Sequence, residues 1–266
     1  HVCMQVQKAT IRSAYHLEGP ATAPVVVFSH CLAGNRTLWA PQMDALKKDY
    51  RVVSYDIRGH GESEVVPGPY SMSELAQDTI ALLDALDLDR VHFVGLSLGG
   101  MIGQVLGAMY PERFVSLALC DTTEAIPASG AQEWDKRAET ARHQGMAPLA
   151  EANLERWLSP AFRAERPEET QRIRDMVQTT PVEGFAGCCA AIKGFDFSER
   201  LSSVTVPSLL LHGEQDGLMP RDKAEAMARR MPRARVATLT EALHLSNIEQ
   251  SEAFVRELLA FWEGRS

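Results

Sequence analysis

The chain has 266 residues, 45% of them hydrophobic and 23% charged, with a formal net charge of −8. That length and mix suit one large globular domain, or a core with an inserted subdomain, and allow a sizeable interior. The acidic balance, with no basic cluster, argues against nucleic acid or an anionic membrane as partner, and no apolar run is long enough to cross a bilayer.

Residues Thr10 to Glu18 alternate weakly, as an early strand does, and Gly19-Pro20 with Pro24 marks the turn after it. Val25 to Phe28 reads as a buried strand ending at Ser29-His30-Cys31-Leu32. Leu38, Trp39, Met43 and Leu46 then space like one helix face, with Pro41 near its start. Arg51 to Tyr55 is the next strand and runs into Asp56-Ile57-Arg58-Gly59-His60-Gly61-Glu62-Ser63, a loop of turn formers and charges read as a structural brace. Ser73 to Leu86 forms an amphipathic helix with Ser71 or Ser73 as its N-cap. The apolar run from Val91 to Val94, rich in Val and Phe, reads as a buried strand, Ile102 to Met109 continues with helical spacing, and Val115 to Cys120 is another buried strand.

Alternation of strand and helix to this point means βα units and a mostly parallel central sheet with helices on both faces. It then breaks. Residues 122–199 hold no apolar strand, only helical stretches at Trp134–His143, Ala147–Leu158, Glu168–Gln178 and Val182–Ile192, punctuated by prolines. Such a block inside an α/β chain reads as an inserted helical cap over the C-terminal edge of the sheet, with 1–121 and 200–266 as the core. Alternation resumes with a strand at Val206–Gly213, a helix at Arg221–Met231, a strand at Arg235–Leu239 and a helix at Ser251–Trp262.

Within this order, Gly95-Leu96-Ser97-Leu98-Gly99 fits G-x-S-x-G between a strand and a helix, the context of a nucleophile elbow. A serine hydroxyl is a poor nucleophile alone and needs a base and a group that orients the base. His244, after the last strand and before the final helix, has the position of the base, and Asp216, after the preceding strand, that of the acid. Glu214 is a weaker alternative acid, and His30, His60, His92 and His212 read as structural. The oxyanion hole needs two amides, assigned to Leu98 directly after the nucleophile and to Leu32 in the loop after the second strand. Cysteines at 3, 31, 120, 188 and 189 lack any C-x-x-C spacing, so they read as free thiols of a cytoplasmic protein, with Cys188-Cys189 as small core residues rather than a vicinal disulfide. No basic, apolar and small-residue layout of a signal peptide opens the chain, although a start at His1 rather than Met leaves room for residues ahead of it.

These motifs together resemble the α/β-hydrolase superfamily, carried by Ser29-His30, the run Asp56 to Ser63, and Gly95-Leu96-Ser97-Leu98-Gly99-Gly100. Within it, Gly34 to Trp39, Ala118 to Thr123, Gly184 to Ile192 and His244 to Gln250 look like 3-oxoadipate enol-lactonases. The resemblance implies the α/β-hydrolase fold and a serine hydrolase that opens a small carboxylate-bearing enol-lactone in aromatic-compound catabolism. It implies a small-molecule substrate, no cofactor and no metal. A substrate carboxylate calls for a cation or donor in the cap, with Arg137, Arg142, Arg156, Arg172, Arg174 and Lys193 as candidates and Trp134 and Trp157 as donor or wall. Trp134 and Arg137 are the chosen pair. One departure stands out: such proteins usually read His-Gly before the oxyanion residue, and here it is His30-Cys31. The rival readings are a broader carboxylesterase or lactonase with the same triad and, from another class, a hydrolase-like small-ligand receptor. Turnover separates the receptor from the enzymes.

Overall fold

The computed structural model describes residues 11–264. Seven strands form one sheet in the order β1-β3-β2-β4-β5-β6-β7. They are β1 (Tyr15–Glu18), β2 (Val25–Ser29), β3 (Arg51–Tyr55), β4 (Val91–Leu96), β5 (Phe114–Cys120), β6 (Ser208–Gly213) and β7 (Ala234–Leu239). Only β1 runs antiparallel, pairing Tyr15 with Tyr55. Every other neighbour is parallel, for example Phe28 with Val94 and Val94 with Ala118. The central strands lack polar alternation because helices cover both of their faces. Val26, Phe28, Val94 and Ala118 belong to the core on one side, and Val27, Phe93, Leu117 and Leu119 to the core on the other.

The helices of the core are α1 (Ala40–Leu46), entered through a 3-10 turn at Arg36–Trp39, α2 (Met72–Ala85) and α3 (Leu98–Met109). Ser71 caps α2: its hydroxyl accepts from the Glu74 amide, and the Glu74 carboxylate accepts from the Ser71 amide, each at 3.1 Å. Between β5 and β6 lie α4 (Ala131–Gln144), α5 (Ala147–Trp157), α6 (Pro160–Glu165), α7 (Pro167–Gln178) and α8 (Val182–Lys193). Here α4 packs on α8 and α5 on α7. The ends of this insertion meet, because the Ile126 amide donates to Phe195 and the Phe197 amide to Glu124. The chain then completes the sheet with α9 (Arg221–Arg229), α10 (Ser246–Glu249) and α11 (Ser251–Trp262).

Several bounds differ from the sequence reading. The first strand begins only at Tyr15, and Thr10 lies outside the described residues. The sixth begins at Ser208 rather than Val206, since Pro207 has no amide to give the ladder. Pro160, read as a break, instead occupies the first turn of α6, where a missing N–H is harmless; the Ser159 hydroxyl caps it, accepting from Phe162 at 3.1 Å. The short α10 was not expected at all. Of the five cysteines, Cys31, Cys120, Cys188 and Cys189 are free and buried, and Cys3 lies outside the described residues.

The loop after β3 is a brace. Arg36 pairs with buried Asp56 and with exposed Glu62, while Arg58 lies buried against Asp78 with Nε 2.8 Å and Nη2 2.9 Å from its carboxylate. His30 and His60 are fully buried and tie this loop to the one after β2. The Ile57 amide donates to His30 Nε2 at 2.9 Å, and the Ala33 amide to His60 Nε2 at 3.1 Å. Accepting through Nε2 requires the neutral ring, and burial pushes His30 down to about 4 and His60 to about 3.

Candidate active site

Ser97 stands between β4 and α3 with φ 56° and ψ −109°, a left-handed conformation that a side chain rarely adopts. The turn closes because its neighbours carry no Cβ. A Cβ on Gly95 would lie 2.2 Å from the Gly99 carbonyl oxygen, and one on Gly99 would lie 2.2 Å from the Ser29 carbonyl oxygen. Backbone bonds then hold the serine: its amide donates to Cys120 at 2.8 Å and its carbonyl accepts from the Thr122 hydroxyl at 2.7 Å. In a run of buried residues from Phe93 to Gly100, Ser97 alone is half-exposed.

His244 and Asp216 arrive on the loops after β7 and β6. His244 Nδ1 lies 2.9 Å from Asp216 Oδ2, and both side chains are buried. The other Asp216 oxygen accepts from the Leu218 amide at 3.0 Å. Burial works to raise the Asp216 carboxyl, but the His244 charge and the hydrogen bonds from His244, Asp121 and Leu218 hold it below the usual carboxylate range. With Nδ1 committed, Nε2 is the ring nitrogen left for the cavity. Glu214 does not join this pair; its carboxylate accepts weakly from the Glu241 amide at 3.4 Å. The His244 loop is clamped by Glu249, which accepts from the amides of Leu243 and Ser159.

Ser97, Asp216 and His244 line one cavity of about 470 Å³. Leu32 lines it too, from the loop after β2, and Leu98 is the first residue of α3, where an amide has no acceptor within its own helix. Cys31 also borders the cavity and is not among the residues with positive φ, so its Cβ costs no backbone strain. Its thiol is pushed up to about 12 by burial.

The helical insertion supplies the roof. Trp134 and Arg137 of α4 and Arg156 and Trp157 of α5 line the same cavity. Arg137 lies over the Trp134 ring, 4.4 Å from its centroid, and pairs with Glu133 at 3.3 Å. Arg156 donates to the Asn153 side-chain oxygen at 2.5 Å and has no ion-pair partner among the described residues. Its partial burial, and then the charge of Arg137, lower its pKa from the guanidinium value. The remaining cap cations point elsewhere: Arg142 to Glu183, Arg172 to Glu169 and Thr37, Arg174 to Glu151, and Lys193 to Asp135.

Asp121 is the residue near this site that sequence reasoning did not single out. It directly follows β5 with φ 46° and is fully buried. A donor atom of each of Asp121, Asp216 and His244 lies within 4.8 Å of the others. Among the described residues this is the one such group close enough to share an ion, but its lone pairs are already directed at Gly213, Ser246, Leu218 and one another. A larger hollow, about 610 Å³, lies beside β1 and α1. Its cations Arg36 and Lys47 are paired with Asp56, Glu62, Glu18 and Asp44, so no reactive group converges there.

Known proteins place this geometry. The chain is 35% identical over 240 residues to 3-oxoadipate enol-lactonase 2 of Acinetobacter baylyi, covering 90% of this chain and 89% of that one. The crystal structure of the enol-lactonase from Burkholderia xenovorans LB400 superposes with a TM-score of 0.91 at 36% identity, covering 95% of this chain and 97% of that chain. A Stutzerimonas stutzeri protein that carries the name carbamate hydrolase RutD is 31% identical over 92% of this chain and 94% of its own. The alpha/beta hydrolase fold family profile matches residues 24–251. The chain is thus a member of the α/β-hydrolase family and resembles its enol-lactonases.

Proposed function

We propose that the protein is a serine hydrolase that opens a small enol-lactone carrying a free carboxylate, 3-oxoadipate enol-lactone by preference. The observation that carries this reading is the presence of Arg137 and Arg156 in the same cavity as Ser97 and His244, Arg156 forming no ion pair among the described residues. A guanidinium in a partly desolvated cavity favours a ligand carboxylate, with which it forms charge-assisted hydrogen bonds. The enol-lactonase relatives add independent support.

In this reading Ser97 Oγ attacks the lactone carbonyl while His244 Nε2 takes its proton, and Asp216 holds the ring tautomer and balances the imidazolium. The amides of Leu32 and Leu98 face the developing oxyanion. Breaking the ring C–O bond releases an enolate, which takes the proton from His244 and becomes a ketone. His244 next removes a proton from water, hydroxide attacks the acyl-enzyme, and Ser97 leaves with the proton returned. The arginines hold the remote carboxylate, so the ring carbonyl is presented to Ser97 in one pose. Residues 122–199 act as a cap over the core of 1–121 and 200–266, and the cap selects the substrate.

A second reading, a broader carboxylesterase or lactonase, is favoured by the apolar share of the wall: Leu32, Leu149, Trp157, Phe185, Leu218 and Leu243. Steady-state hydrolysis decides between them, with the enol-lactone, a neutral lactone, a short p-nitrophenyl ester and a carbamate compared and Ser97→Ala as the blank. A kcat/KM highest for the enol-lactone supports the first reading. Equal or higher values on neutral esters support the second, and no turnover of any of them overturns both.

A further inference from the structure

Asp121 bridges the two loops that carry Asp216 and His244. Its Oδ1 accepts from the Gly213 amide at 2.8 Å, at the end of β6 where the Asp216 loop departs. Its Oδ2 receives the hydroxyl of Ser246, two residues beyond His244. The Asp121 amide donates to Leu211, so the backbone is anchored on β6 as well. A carboxylate oxygen of Asp121 also lies within 4.8 Å of one of Asp216. Two carboxyl groups this close, both buried, disfavour a full charge on each at once.

We propose that Asp121 is a positioning residue, a neutral carboxylic acid that donates its proton to Asp216 and so sets both the aim and the charge of the acid that orients His244. The proton sits on Asp121 because the two environments differ. Asp216 faces the His244 ring and the Leu218 amide, which favour an anion. Asp121 lies near the same ring but makes no hydrogen bond or ion pair with it or with any Lys or Arg among the described residues, whereas Asp216 takes the His244 Nδ1 bond. The other titratable neighbours are Cys120 on its own strand and His212 on β6, which lies near Asp216. Burial keeps Cys120 a thiol, and it lowers His212 so that the ring stays neutral against the Thr238 hydroxyl at 2.8 Å. Burial first, and then the Asp216 charge, push the Asp121 carboxyl well above the carboxylate range. A proton on one oxygen still leaves lone pairs for both Gly213 and Ser246. The nucleophile Ser97 would thereby have three partners in series: His244, Asp216 and Asp121.

The inference rests on Asp216 and His244 being the working pair, and its first test does not depend on substrate. At neutral pH the infrared difference spectrum between wild type and Asp121→Asn should show a protonated-carboxyl C=O stretch that the variant lacks. Loss of a carboxylate band instead overturns the proposal. The second test is the pH profile of p-nitrophenyl acetate hydrolysis. Asp121→Asn keeps an N–H donor for Asp216 while giving up one accepted bond, so kcat should stay within about threefold and the acidic limb should not move. Asp121→Ala removes the donor, so kcat should fall about tenfold and the acidic limb should rise by about one pH unit as Asp216 becomes the stronger base. A fall in kcat with the limb unmoved makes Asp121 a mere brace and overturns the proposal. So does a limb that drops in Asp121→Asn, since that reports the loss of an anion. Should Asp121→Ala fail to fold, the Asn variant decides. An absence of any esterase activity would sink the triad reading, while the infrared result would still decide the protonation state of Asp121.

Discussion

The sheet end of the cavity and its helical roof are built in opposite ways. Around Ser97 the backbone does the positioning: two glycines without room for a Cβ, amide bonds to Cys120 and His30, and buried acids on fixed loops. In the roof the groups that matter are long side chains on α4 and α5, held by a ring stack, one carboxylate and one amide oxygen. The first arrangement cannot vary without breaking the chain path, so it specifies a reaction. The second can be altered one residue at a time, which fits the proposal that it selects the substrate.

The largest effects should come from the sheet end and be blind to the substrate. Ser97→Ala should lower kcat by about 10⁵- to 10⁶-fold on every ester, with the circular dichroism spectrum unchanged. Asp216→Asn should cost about 10⁴-fold through the wrong His244 tautomer, whereas Glu214→Gln should stay near wild type; the reverse order would reassign the acid.

Roof substitutions should discriminate between substrates. Arg137→Ala or Arg156→Ala should reduce kcat/KM for a carboxylate-bearing lactone by about 10- to 100-fold, the worth of one charge-assisted hydrogen bond, and leave p-nitrophenyl acetate within about twofold. Equal losses on both substrates would erase the distinction between the two regions.

Stability should also report the sheet end. His30 and His60 titrate near 6.5 in an unfolded chain but only at about 4 and about 3 when buried. Below pH 6.5 the unfolded chain takes up protons that the folded chain refuses. The stability present above that pH is therefore lost as pH falls toward 4, by several kcal/mol. Thermal melts across pH 7 to 4 measure it, and a flat Tm over that range would contradict the neutral His30–His60 brace. The smallest effect belongs to Cys31→Gly, which should change the ratio of lactone to ester rates severalfold and cost about 1 kcal/mol of stability in backbone entropy.

Legibility in the sequence followed the same division. The elbow announced itself because the glycines needed by a tight turn must flank the serine in sequence. The strand order of Ser97, Asp216 and His244 likewise needs no knowledge of packing. Trp134 and Arg137 could be named only as two among several helix residues, since helical spacing cannot tell which cations line the cavity and which meet Glu183, Glu169, Glu151 or Asp135 across the surface. Asp121 was hidden because its partners, Gly213 and Ser246, lie about a hundred residues away in the chain. The available signal was local: a lone acid directly after the all-buried end of an apolar strand. The α6 and α10 helices were missed because segments of six and four residues are too short to show a period.

A cavity that takes a carboxylate on an enol-lactone, as proposed, should show itself in one ratio. The measurement is kcat/KM for 3-oxoadipate enol-lactone divided by kcat/KM for its methyl ester, which keeps the ring and removes the charge. A ratio of about 10 to 100, the worth of one charge-assisted hydrogen bond, is the expected result. A ratio at or below one would contradict it and leave a hydrolase whose arginines serve another purpose.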